Sequence, residues 1–136
     1  MDKILVDTNI IVDLLSRRQD FYIPASRLFT LSDFKKVKLS ISALTFANTY
    51  YILSRELKAD KVREVLRKFK LLVNVLPVNE KILDLALNSN FKDFEDAIQY
   101  YTALENSLEI IITRNLKDFK FSKIPVMTAD TYLGMK

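Results

Sequence analysis

The chain has 136 residues and a formal net charge of +4, and 49% of its residues are hydrophobic. These values predict a single domain spanning residues 1–136 with a packed core, and they argue against disorder. Because the chain contains no Cys and no His, disulfides, thiolate chemistry, imidazole bases and Cys- or His-ligated metals are excluded.

The sequence has no feature that directs it to a membrane. Its first residues, MDKILVDTN, lack the long apolar stretch of a signal peptide, and no apolar run approaches the length of a membrane span. We therefore expect a cytoplasmic protein with no membrane partner. The small basic excess is compatible with a polyanionic partner such as RNA, but an excess of this size is also common as ordinary solubility charge.

Short apolar runs alternate with amphipathic stretches along the whole chain. In chain order, the patterns predict a strand at 3–6, helices at 9–18 and 22–34, a strand at 38–41, helices at 43–57 and 59–72, a strand at 73–78, helices at 80–89 and 94–106, strands at 109–113 and 125–127, and a helix at 129–135. This alternation predicts a three-layer α/β/α fold with a central parallel sheet of about five strands and right-handed crossovers.

Acidic residues follow the predicted strands at the edge where open parallel sheets bind ligands. Asp7 ends the first strand, Asp118 follows the fourth, and Asp93, Glu95 and Asp96 begin the helix that leads into the fourth strand. If the first and fourth strands are neighbours, these carboxylates meet at one rim. Crowded carboxylates repel one another unless a proton or a cation neutralises them, and Mg²⁺ or Mn²⁺ suits such an oxygen-rich site. Such an ion can activate a water and orient a phosphate.

Each of these residues also has a purely structural interpretation. Asp7 can cap the first helix, and Asp93 and Asp96 have the spacing of a capping box. Asn115 and Asp118 favour turns, so they can simply shape the loop after the fourth strand. Capping and metal binding are compatible if Asp93 caps the helix and Asp96 binds the ion.

The chain resembles the PIN domain family in four segments that occur in the family's order: Asp7-Thr8-Asn9, Ser42-Ala43-Leu44-Thr45, Asp93-Phe94-Glu95-Asp96-Ala97 and Thr113-Arg114-Asn115-Leu116-Lys117-Asp118-Phe119. The resemblance implies a PIN-like fold with a five-stranded parallel sheet, an acidic Mg²⁺ or Mn²⁺ site and cleavage of single-stranded or structured RNA. Small members are often VapC-type toxins of type II toxin–antitoxin pairs. The resemblance therefore also implies a small antitoxin protein as partner and a homodimer.

The resemblance assigns roles to individual residues. Asp7 corresponds to the first metal-binding acid, Asp96 to the third, and Asp118 or Asn115 to the fourth ligand. The implied site is completed by four supporting polar residues: Thr8, Asn9, Asp93 and Thr113. Arg114 is a candidate for contacting the RNA phosphate, although a solvated turn residue is an equal interpretation.

One position departs from the family pattern. Asn48 stands where the family usually places a Glu, about one and a half turns into the helix after the second strand. An amide oxygen can bind a metal but brings no negative charge, so metal affinity is expected to be weaker unless Glu95 compensates. Two hypotheses follow: a metal-dependent ribonuclease, or a non-catalytic PIN-like module that binds RNA or protein. A phospho-acceptor receiver domain is set aside, because Val78-Asn79-Glu80 follows the third strand.

Overall fold

The computed structural model describes residues 1–136. Its strands are β1 (Asp2–Val6), β2 (Val37–Ser42), β3 (Asn74–Leu76), β4 (Ile110–Ile112) and β5 (Val126–Met127). Its helices are α1 (Thr8–Leu15), α2 (Tyr22–Asp33), α3 (Ala43–Leu53), α4 (Ala59–Phe69), α5 (Glu80–Leu87), α6 (Phe94–Glu105) and α7 (Ala129–Gly134). None of these helices combines the length and apolar content that a membrane crossing requires.

The strands form one parallel sheet in the order β3-β2-β1-β4-β5, which confirms the predicted sheet. Strand β1 lies at its centre, between β2 and β4. The register pairs Val6 with Ile112, so the residues that follow, Asp7 and Thr113, leave the sheet side by side. The backbone N–H of Asp7 donates to the carbonyl of Ile112 at 3.0 Å, which continues the ladder to the sheet edge. The neighbouring placement of the first and fourth strands, on which the site prediction depends, is thus correct.

Alternate residues of β1 point into two separate cores. Ile4 and Val6 belong to the larger core, which is closed by side chains of α1, α2, α4 and α7. Leu5 points to the opposite face and packs with side chains of β4 and α6, including Ile111 and Tyr100. Burying each such side chain contributes about 1.5–3 kcal/mol. Helices therefore cover both faces, as the predicted three-layer α/β/α architecture requires.

Several predicted helices extend too far at their C-terminal ends. The first ends at Leu15 rather than at residue 18, because Arg17 adopts a positive φ of 50°. The third ends at Leu53 rather than 57, where the hydroxyl of Ser54 donates to the carbonyl of Tyr50. The fourth ends at Phe69 and continues as a 3₁₀ turn, Lys70–Leu72. A second 3₁₀ turn, Leu116–Phe119, was not predicted.

Candidate active site

A polar cleft of about 290 Å³ opens at the carboxyl edge of the sheet. It is lined by all six residues that the sequence indicated as metal ligands: Asp7, Asn48, Glu95, Asp96, Asn115 and Asp118. Thr8, Asn9 and Asp93 also line it. The structure therefore brings together side chains from the end of β1, from α3, from the start of α6 and from the turn after β4. Their role as metal ligands stays a prediction.

Asp7 is held in place by three hydrogen-bond donors. Its Oδ1 accepts from the backbone N–H of Thr8 at 2.8 Å and from Nε2 of Gln99 at 3.0 Å. Its Oδ2 accepts from the hydroxyl of Thr113 at 2.7 Å. The residue is only 5% exposed. Asp7 therefore caps α1, and its three donors fix the orientation in which its carboxylate faces the cleft.

Gln99 is a site residue that sequence reasoning missed. It lies one turn after Asp96 on α6 and is 2% exposed. Its Nε2 donates to Asp7 and to the hydroxyl of Thr45 at 2.6 Å, while its Oε1 accepts from the hydroxyl of Ser42 at 2.5 Å. One buried amide thus connects the ends of β1 and β2 with α6. The spacing of three residues from Asp96 was the available signal, because such residues share a helix face.

Asn9 and Thr113 connect α1 to the turn after β4. The Nδ2 of Asn9 donates to the Thr113 hydroxyl at 3.3 Å, and the backbone N–H of Arg114 donates to Oδ1 of Asn9 at 3.3 Å. The Thr113 hydroxyl also accepts from the backbone N–H of Asn115 at 3.0 Å. These contacts support Asp7 and fix the loop that carries Asn115 into the cleft.

Arg114 lies outside the cleft. Its guanidinium holds the buried Asp13 with two contacts, Nε to Oδ2 at 2.8 Å and Nη2 to Oδ1 at 3.1 Å, and stands 3.9 Å from the ring centroid of Phe21. This bidentate pair orients the guanidinium toward Asp13, and its contact with an RNA phosphate stays a prediction. The cation that does line the cleft is Arg18, whose Nη1 is 3.8 Å from Asp13 and whose side chain is 45% exposed.

Asp93 and Asp96, at the start of α6, have different roles. Oδ1 of Asp93 accepts from the backbone N–H of Asp96 at 3.0 Å, which confirms that Asp93 caps the helix. The carboxylate of Asp96 makes no reciprocal bond to Asp93, so the second half of the capping box is absent. The Asp96 carboxyl therefore has no donor of its own and remains in the cleft.

The pKa of Asp96 is raised to about 7. Burial is the largest cause, because it removes water from the charged form, and the charges of Asp7, Asp93, Asp118 and Glu95 add repulsion. Burial and repulsion therefore disfavour the charged form of the Asp96 carboxyl, and no hydrogen bond offsets them.

The donors in the cleft fit a hard divalent cation. Oxygen is the ligand atom that every carboxylate and amide here offers, and a cation would offset the repulsion that raises the pKa of Asp96. No three acidic side chains converge tightly enough to enclose an ion by themselves. Closure around an ion would thus require the exposed side chains, such as Asp118, to turn toward Asp7.

Comparisons with known proteins agree with this fold and arrangement. A sequence model described as the PIN domain matches residues 3–117. Ribonuclease VapC1 of Aquifex aeolicus (strain VF5) is 31% identical over 142 residues, covering 96% of this chain and 93% of that protein. A toxin–antitoxin complex from Klebsiella pneumoniae contains a chain that is 29% identical, with a TM-score of 0.68 and coverage of 92% of this chain and 96% of that one. In fold, the DNA-bound VapBC of Salmonella typhimurium is also similar, with a TM-score of 0.71 at 17% identity, covering 95% and 99% of the two chains. This chain belongs to the PIN domain family.

Proposed function

We propose that this protein is a divalent-metal-dependent endoribonuclease of the VapC type and the toxin of a type II toxin–antitoxin pair. The observation that carries the proposal is the cleft at one edge of the sheet that Asp7, Asp96 and Asp118 line together. A ribonuclease that aligns with nearly the whole chain supports the same activity.

Asp7, Asp96 and Asp118 would hold the Mg²⁺ or Mn²⁺, with the amide oxygen of Asn48 as an uncharged ligand. Glu95 and Asn115 are further oxygen donors at the same rim. When bound, such an ion supplies the positive charge that activates a water and stabilises the negative charge developing on a phosphodiester.

The protein's own side chains prepare the cleft for this reaction. The three donors to Asp7 hold its carboxylate in one orientation, so this ligand needs no reorganisation. The pKa of Asp96 is raised to about 7 by burial and by the neighbouring acids, so positive charge entering the cleft would favour its ionised form. The guanidinium of Arg18 also lines the cleft and would attract the phosphate of the RNA.

The partners of the protein follow from the same proposal. RNA is the substrate, and a small antitoxin protein binds the toxin, as the complex from Klebsiella pneumoniae supports. We further propose a cytoplasmic homodimer, in line with the resemblance to small VapC-type toxins.

A non-catalytic PIN-like module is the second candidate, and one position favours it. Asn48 brings no charge to the cleft, and the three acids do not enclose an ion by themselves. Under this alternative the protein would bind RNA or protein without cleaving it.

Cleavage of a mixed single-stranded RNA, with Mn²⁺ or with chelator, separates the two candidates. We expect Mn²⁺-dependent cleavage by the wild type, loss of cleavage in Asp96→Asn, and unchanged cleavage in Asp84→Asn, an exposed acid on α5 outside the cleft. Absence of Mn²⁺-dependent cleavage in the wild type, or equal cleavage by wild type and Asp96→Asn, would reject the proposed nuclease site.

A further inference from the structure

A second concavity, of about 300 Å³, adjoins the acidic cleft. We call it the lysine pocket, and its lining is Lys92, Asp93, Lys117, Asp118, Lys120 and Phe121. Asp93 and Asp118 also line the acidic cleft, so the two depressions share one wall. A chain-like ligand lying in the cleft would therefore pass directly into the lysine pocket.

The three lysines of this pocket form no ion pairs. Lys92, Lys117 and Lys120 are exposed, and none of them has a nitrogen within 4.0 Å of a carboxylate oxygen, whereas Lys61, Lys68, Lys81 and Lys136 elsewhere on the chain do form ion pairs. Even the carboxylates of their own pocket do not pair with them. Three unpaired ammonium groups around one concavity attract an anion more strongly than separate surface charges do.

An aromatic ring completes the pocket. Phe121 is 45% exposed, and its ring centroid lies 6.1 Å from that of Phe91 and 5.3 Å from Nζ of Lys120. Phe91 in turn packs against Tyr100, at 5.2 Å, and Phe119, at 6.1 Å, both buried, so the exposed ring rests on a fixed aromatic cluster.

Cations around an exposed, supported ring fit a nucleotide better than they fit an acidic protein segment. Proteins that hold single-stranded nucleic acids combine backbone-binding cations with rings on which bases stack. Carboxylates of a peptide would use the lysines but would not use the exposed part of the Phe121 ring.

We propose that the lysine pocket binds the nucleotide next to the phosphodiester in the acidic cleft, with Lys117 and Lys120 on its phosphate and Phe121 stacked on its base. The proposal rests on the ribonuclease function and specifies its substrate further. Since a paired base in a helix cannot stack on Phe121, the RNA must be single-stranded at this position.

Binding of a short labelled single-stranded RNA of mixed sequence tests the pocket without cleavage. The measurement uses Asp96→Asn as the parent, with chelator present, and records the Kd over a series of salt concentrations. Adding Lys117→Gln and Lys120→Gln should weaken binding about tenfold at ~0.1 M salt and lower the salt slope by about 0.7, since both lysines engage one phosphate and each phosphate neutralised on a single strand contributes about 0.7. The matched control is Lys61→Gln with Lys68→Gln on α4, which removes the same charge away from both pockets and should change the Kd far less.

The ring contributes in a different way from the lysines. Adding Phe121→Leu to the same parent should weaken binding of single-stranded RNA about tenfold while leaving the salt slope unchanged, because stacking releases no counterions. The same substitution should not weaken binding of a duplex of the same sequence.

Three results would overturn the lysine pocket as an RNA subsite. The first is an unchanged Kd for RNA in the lysine and Phe121 variants. The second is an equal loss of RNA affinity in the Lys61 and Lys68 control. The third is that substitutions in the pocket weaken binding of an acidic peptide but not of RNA. Failure of the nuclease proposal would be distinct, because it would show as absent Mn²⁺-dependent cleavage by the wild type with these binding differences intact.

Discussion

The two sides of the acidic cleft are built in opposite ways. On one side, the Asp7 carboxylate accepts three hydrogen bonds, from Thr8, Gln99 and Thr113. On the other side, Asp96 accepts none, and the pKa of its carboxyl is raised to about 7 by burial and by the acids around it. The Asp7 carboxylate thus has hydrogen-bond donors from the protein. The Asp96 carboxyl is repelled by its acidic neighbours and has no donor that offsets this repulsion.

This difference suggests that Asp7 fixes the position of a cation, whereas Asp96 provides most of the affinity for it. A carboxylate fixed by three hydrogen-bond donors places the first ligand accurately, because its orientation is already set. A crowded carboxylate without donors gains much from a cation, since the ion relieves its repulsion. Functional sites commonly retain such a local cost. The predictions below test each side separately.

The largest effect is expected from removing Asp7. Asp7→Ala should abolish RNA cleavage and also lower the free energy of unfolding by about 3 kcal/mol, because the buried donors of Gln99 and Thr113 lose their partner. Urea denaturation measures the loss. Asp118→Ala is the contrasting variant: it should abolish cleavage as well, but with little change in stability, since Asp118 is exposed and accepts no hydrogen bond from another residue. Equal stability of the two variants would contradict the proposed difference between the sides.

Gln99→Met should have the next largest effect. The substitution keeps the volume but removes the shorter hydrogen bond of the Ser42 hydroxyl and one donor to Asp7, so we expect a loss of about 2 kcal/mol in stability and reduced cleavage. Thermal or urea unfolding and initial cleavage rates measure both. The matched control is Thr102→Val on the same helix, whose buried Oγ1 has no partner in the structure and whose removal should be neutral or stabilising. If both variants behaved alike, the Gln99 network would have no special role.

Asn48→Glu should increase the attraction of the cleft for a cation, because it adds a negative charge there. We expect Mn²⁺ to bind about tenfold more tightly, because affinity rises with the number of charged ligands. Isothermal titration calorimetry measures this directly. Asn88→Glu, at the exposed C-terminal end of α5, adds the same charge outside the acidic cleft and should leave Mn²⁺ affinity unchanged.

The smallest effect concerns pH. The pKa of Asp96 is about 7 in the folded protein, above its ordinary value of 3.8, so the folded state binds more protons than the unfolded state between these values. The contribution of Asp96 to wild-type stability should therefore fall as pH rises from about 4 to 7. Asp96→Asn cannot ionise and should be more stable than the wild type at pH 8, by about 1 kcal/mol after allowing for solvent screening of a half-exposed group. The difference should shrink toward pH 4, and a difference of constant size across this range would contradict the raised pKa.

The placement of the acids along one cleft could be predicted from the sequence, because it depends on regular features. Strands that alternate with helices make a parallel sheet, and Asp7, Asp96 and Asp118 all follow or precede strands at its carboxyl edge. The capping role of Asp93 was equally predictable from local spacing.

Other features depend on contacts between residues far apart in the chain. Nothing in the sequence indicated that Arg114 pairs with Asp13, 101 residues earlier in the chain. Gln99 looked like an ordinary helical residue, because its partners Asp7 and Ser42 come from other elements. Helix ends were also misjudged, since the positive φ of Arg17 has no clear signal in composition.

Where Mn²⁺ binds is the most direct test of the difference between the two sides. A crystal soaked in Mn²⁺ and measured at a wavelength with manganese anomalous signal locates the ion. We predict a peak within coordination distance of Asp7 and Asp96, with the Asp7 hydrogen bonds to Gln99 and Thr113 retained and the Asp118 carboxylate turned toward the ion. A peak elsewhere, or none in the cleft at saturating Mn²⁺, would contradict the proposal that these acids form a metal site.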